Sequence, residues 1–102
     1  MPVVIVRLHP AAGQLEKVLD IYRQEVPLIH AEPGCELFAV HTDGTDVFLV
    51  ESWATPEDLK AHTDGEGFTR TREHLGPVLD GPGDIRVVDP IPLGVDAKGT
   101  LR

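Results

Sequence analysis

Apolar residues follow two rhythms along this chain. Val3-Val4-Ile5-Val6-Arg7-Leu8 is a short β-branched run that predicts a first strand, closed by His9-Pro10-Ala11-Ala12-Gly13. Leu15, Val18, Leu19, Tyr22 and Val26 then recur at helical spacing, with Gln14, Glu16, Lys17, Asp20 and Arg23 between them. That pattern predicts an amphipathic helix. Pro27 lacks a backbone donor and crowds the preceding turn, so a kink is expected there, with Leu28 to Ala31 continuing helically. Pro33-Gly34 ends the element, since Gly34 can take the left-handed conformation. Cys35 to Thr42 alternates as a second strand, and Asp43-Gly44-Thr45-Asp46 reads as a turn. Val47 to Trp53 is the third strand, completing a β-hairpin.

A helix start follows at once. Thr55 is a suitable N-cap, Pro56 fits the first helical position, and Glu57 and Asp58 face the positive end of the helix dipole. This helix is expected to run to about Thr63, where Asp64-Gly65-Glu66-Gly67 interrupts it. Phe68, Arg72, Leu75 and Val78 or Leu79 form another helical stripe, with Gly76-Pro77 distorting its end. Gly81-Pro82-Gly83 is a loop and Ile85 to Val88 a fourth strand. After Asp89 the chain has prolines, glycines and no periodicity, so an extended or disordered tail is expected, free to wrap a partner.

The order is β-α-β-β-α-β with the second helix broken in two. It predicts an α+β, ferredoxin-like fold: an antiparallel four-stranded sheet with helices on one face. Strands one and three are apolar at successive positions, where a sheet with one wet face would alternate. Both faces therefore call for cover, and helices supply only one. The simplest second cover is another copy of the chain, so a homodimer is expected.

Composition narrows the function classes. The 102 residues fit one domain, with a core at about residues 3–89 and a tail at 90–102. Nine Lys and Arg stand against seventeen Asp and Glu, a net charge of −8. That balance argues against nucleic acid or an anionic membrane as partner. The single Cys35 excludes an intrachain disulfide framework and a Cys-based metal site, and it fits a reducing cytoplasm. Met1-Pro2 leads straight into a strand-like run without a signal-peptide pattern. No apolar run approaches the roughly 20 residues of a membrane helix. A cytoplasmic location is expected.

The stretch from Glu51 to Phe68 concentrates the candidate chemistry, with the only tryptophan, a histidine and a carboxylate in a short span. The whole chain from about Val3 to Val88 resembles the antibiotic biosynthesis monooxygenase family of the dimeric α+β barrel group. The matching pieces are Ala31-Glu32-Pro33-Gly34-Cys35, Phe48-Leu49-Val50-Glu51-Ser52-Trp53, and His62 followed by Phe68. The resemblance implies a dimeric α+β barrel. Members include quinol-type monooxygenases, haem-degrading enzymes and isomerases of small carbonyl compounds. Haem-degrading members use an Asn, a Trp and a haem-ligating His where this chain has Val6, His62 and Arg72, which points away from haem.

Within that resemblance, His62 is the candidate base, because imidazole titrates near neutral pH. Glu51 lies two residues before Trp53, on the same strand face, and is a candidate to orient a histidine or a substrate hydroxyl. Trp53 and Phe68 are candidates to sandwich a flat ring, with Tyr22 and His41 as further substrate contacts. Structural roles compete: a partly exposed helix histidine for His62, a cation pair near the dimer seam for Glu51, core or dimer interface for Trp53, core for Phe68 and Tyr22, and a solvent-facing side chain for His41. His30 is explained by the negative end of its helix, and Cys35 by an inert thiol. No histidine pair has metal-site spacing and no Gly-rich phosphate loop occurs, so no metal and no cofactor are expected. The expected function is a cofactor-independent monooxygenase of a small quinol-like or polyphenolic substrate with O2. The alternatives are an isomerase of a small carbonyl metabolite and a non-catalytic dimeric ligand binder.

Overall fold

The computed structural model describes residues 1–101. Its elements are β1 (Val3–Leu8), α1 (Leu15–His30), β2 (Cys35–Thr42), β3 (Val47–Trp53), α2 (Pro56–Asp64), α3 (Glu66–Leu75), a 3-10 turn (Gly76–Val78), β4 (Asp84–Val88) and a short turn of helix, α4 (Asp96–Gly99). The strands form one antiparallel sheet in the order β2-β3-β1-β4. This is the ferredoxin-like α+β arrangement.

Local chemistry sets the element ends. The Thr55 hydroxyl accepts the Asp58 backbone N–H at 3.1 Å and starts α2. Gly34, at φ +77°, turns the chain from α1 into β2. Helix α1 runs through Pro27 to His30, with Pro27 on its exposed side.

Register decides what each strand residue faces. Val6 pairs with Leu49 on one side and Ile85 on the other. Val4, Val6 and Leu8 of β1 and Val47, Leu49 and Trp53 of β3 pack against Val18, Tyr22 and Ile29 of α1 and Leu75 of α3. This is the covered face and the core. The opposite face carries Ile5, Phe48, Val50 and Val88, with Ile5 46% and Val88 38% exposed. Its apolar side chains have no helix over them. Ile85 and Val87 of the edge strand share the covered face by register, yet both are exposed. The tail departs from the extended form expected, because Gly94, at φ +73°, reverses the chain ahead of α4. Ile91, Leu93 and Val95 along it are exposed. Among the described residues no helix is long and apolar enough to cross a membrane.

Candidate functional site

Between α1, α3 and the covered sheet face lies a cavity of about 520 Å³, within the range of small-molecule sites. Its floor is apolar, with Val6, Leu8 and Leu49 from the strands, and Ile29 and Leu75 are on its walls. Its rim is exposed, formed by Arg72, Pro82 and Ile85 among others. The ionisable groups on its surface are Tyr22, Glu51, His62 and Arg72.

His62 sits on α2, buried at 5% exposure. Its ring stacks on Trp53 with centroids 4.5 Å apart. Phe68 meets it edge-on at 5.4 Å and Phe38 at 6.1 Å. Its Nδ1 is 2.9 Å from Glu32 Oε1, in the turn between α1 and β2. An ionised carboxylate only accepts, so Nδ1–H donates to Glu32 and Nε2 carries the lone pair. Nε2 has no partner among the described residues. The imidazole is therefore fixed in orientation and tautomer, with its basic nitrogen unspent.

Glu51, on β3, is equally buried at 5% exposure. Its Oε1 accepts the Trp53 Nε1–H at 3.1 Å, and among the described residues no cation pairs with it. Burial pushes its carboxyl above the usual range, against the Trp53 hydrogen bond and the His62 charge, which pull the other way. Tyr22, on α1, lines the cavity with its phenol pushed up by burial and by the Glu51 charge.

The structure thus gathers His62, Glu51, Phe68 and Tyr22 around one cavity. Trp53 departs from the ring-sandwich expectation. It is fully buried behind His62 and forms no part of the cavity wall, so it supports the imidazole and the Glu51 carboxylate from below. His41 is the larger departure. It pairs with Phe48 on the uncovered face and is exposed, away from the cavity. The carboxylate hydrogen-bonded to His62 is Glu32, 30 residues before it, and not Glu51, which was a candidate to orient a histidine or a substrate hydroxyl. Glu32 lies in the Ala31–Cys35 segment, so the segment was visible but the pairing was not. Arg72 was visible as part of the α3 stripe and as a departure from the haem pattern, not as a cavity residue. Val6, His62 and Arg72, the three positions of that pattern, all line this cavity. Among the described residues no group of three His, Cys, Asp or Glu side chains is arranged to hold a metal ion.

Chemically, the site can take a proton at His62 Nε2, hold another at Glu51 and exclude water from a flat apolar ligand. Many solved structures share its fold, among them the following three. One, described as an antibiotic biosynthesis monooxygenase, superposes with a TM-score of 0.83 at 24% identity, covering 90% of this chain and 100% of the other. Rv0793 from Mycobacterium tuberculosis gives 0.83 at 22% identity, covering 93% of this chain and 100% of its own. PA3566 from Pseudomonas aeruginosa gives 0.80 at 22%, covering 88% and 93%. No curated protein matches the sequence. The sequence model for the antibiotic biosynthesis monooxygenase family matches residues 1–74, which span β1 through most of α3. The chain belongs to the antibiotic biosynthesis monooxygenase family.

Proposed function

We propose that the protein is a cofactor-independent monooxygenase that oxidises a small quinol-like or polyphenolic aromatic with O2. The observation that carries this reading is a Glu32-oriented His62 in an apolar cavity, beside a carboxyl that burial keeps toward its neutral form. The phenolic substrate gives a proton to His62 Nε2, and Glu32 stabilises the resulting imidazolium. The phenolate passes an electron to O2, and recombination forms a C–O bond at a ring carbon bearing hydrogen. His62 returns its proton to the peroxide, giving a hydroperoxide; its freed Nε2 then takes the ring hydrogen as a proton while the outer oxygen leaves as hydroxide. Glu51 is the group suited to protonate the departing oxygen. One oxygen atom ends as a ring carbonyl and the other as water, with all the electrons supplied by the substrate. Phe68 and Phe38 line an apolar surround in which the phenolate is poorly solvated and reactive.

The uncovered apolar sheet face supports a homodimer as the working form. A second reading, proton transfer within a small carbonyl compound, is favoured by the presence of two proton-handling groups, Glu51 and His62, in one cavity. Oxygen consumption separates the two. Purified, metal-stripped protein is assayed on an oxygen electrode against dihydroxyarenes and reduced quinones, with His62→Ala alongside. The monooxygenase reading expects protein-dependent uptake that falls by roughly 10²–10⁴-fold in the variant, the usual worth of a general base. Isomerised product without uptake would replace it with the second reading.

A further inference from the structure

The protein has almost twice as many acidic as basic side chains, and four of its nine Lys and Arg are paired with them. Arg7 pairs with Asp46, Arg23 with Glu16 and Asp20, Lys60 with Asp64 and Arg70 with Glu25. Arg72 is different. Among the described residues it has no carboxylate partner, although its sequence neighbour is Glu73. It sits one helical turn beyond Phe68 on α3, and its guanidinium carbon lies 5.8 Å from the Phe68 ring centroid. That contact orients the guanidinium at the cavity rim without using its N–H edges. Phe68 also touches His62 at 5.4 Å, so the base and the guanidinium border the same aromatic wall. The carboxyl on the cavity surface is that of Glu51, on the floor side. An uncharged quinol offers Arg72 only a neutral hydroxyl acceptor. An aromatic acid whose phenol reaches His62 presents its carboxylate to a planar, bidentate donor.

We infer that Arg72 is a specificity-determining residue that makes this cavity a site for phenolic aromatic carboxylates. The inference deepens the proposed oxidation of phenolic substrates and rests on the same cavity being their site. The net charge of −8 would otherwise disfavour an anionic ligand. A single unpaired cation on the rim supplies the local exception.

The test is binding without turnover. Two fluorescent probes, 6-hydroxy-2-naphthoate and 2-naphthol, share a bicyclic ring and a phenol but differ in the carboxylate. Their affinities are measured anaerobically for the wild-type protein, Arg72→Gln and Arg72→Lys. The carboxylate probe is expected to bind about tenfold tighter to the wild type, the scale of a charged hydrogen-bond pair at a partly exposed site. Arg72→Gln abolishes that preference by weakening the naphthoate alone, and Arg72→Lys retains part of it. Equal affinities in the wild type, a preference that survives Arg72→Gln, or no binding of either probe would overturn the inference. The oxygen electrode keeps the two ideas apart. A carboxylate preference without oxygen uptake removes the oxidation and leaves the specificity, while uptake without the preference does the reverse.

Discussion

Glu25 and Glu51 are buried to the same extent, each 5% exposed, yet they sit in opposite chemical situations. Glu25 lies on the seam between α1 and α3. Arg70 grips both its oxygens, with Nε at 2.9 Å and Nη2 at 2.6 Å. That pairing holds its carboxyl below the usual range despite burial. Glu51 lies under the cavity with a single neutral donor, Trp53, and its carboxyl is pushed up. The first arrangement fastens two helices. The second keeps a proton-binding group without a charged partner beside an apolar cavity, at a cost in stability. Burial alone therefore does not mark a site; burial without a charged partner does.

The largest expected difference is in turnover. Once a substrate is confirmed, Glu51→Gln should lower its oxidation by about 10²-fold or more, because the neutral amide cannot donate an acidic proton. Glu25→Gln should leave the rate within about twofold, since Arg70 and α3 stay anchored through the amide oxygen. Equal losses in the two variants would abolish the distinction.

Stability should run the other way. Glu25→Ala removes the bidentate clamp and should cost about 1–2 kcal/mol, a charged hydrogen bond discounted for the half-exposed arginine. In calorimetry a domain of this size loses roughly 4–8 °C per kcal/mol. Glu51→Gln should leave the melting temperature unchanged or higher at neutral pH.

The pH dependence has opposite signs at the two places. Both carboxyls start from an ordinary value of 4.5 in the unfolded chain. The lowered Glu25 contributes stability that is complete above 4.5 and is lost as pH falls through its folded value. The raised Glu51 contributes stability that is complete below 4.5 and is lost as pH rises through its folded value. Melting curves across this range should therefore lose their acid-side slope in Glu25→Gln and their slope above 4.5 in Glu51→Gln. A smaller effect concerns the donor. Trp53→Phe keeps the ring beneath His62 but removes the N–H, so the Glu51 carboxyl should titrate still higher. An unchanged titration would mean that this hydrogen bond does not act on the carboxylate.

Much of the scaffold was legible because it is written in local chemistry. Thr55-Pro56 announced α2, Gly65 separated α2 from α3, and the stripe through Phe68, Arg72 and Leu75 gave α3 its face. The two-residue spacing of Glu51 and Trp53 put them on one strand face, and the Trp53–Glu51 hydrogen bond follows from it. The pairing of Glu32 with His62 was not legible, because it joins a turn after α1 to a helix 30 residues later through tertiary packing alone. Nor could alternation say which face His41 takes. That depends on the β2–β3 register past the irregularity between Cys35 and Leu37. Trp53 was readable as buried but not as a support for His62, since stacking needs the angle at which α2 leaves β3.

One experiment reaches the contrast directly: side-chain carboxyl ¹³C NMR titration of Glu25 and Glu51, without and then with a saturating dihydroxyarene under anaerobic conditions. Glu25 should titrate below 4.5 and Glu51 above it, and the ligand should move Glu51 alone. If Glu51 titrates at or below the ordinary value, or the ligand leaves it unmoved, the cavity beside it is not the site of the chemistry.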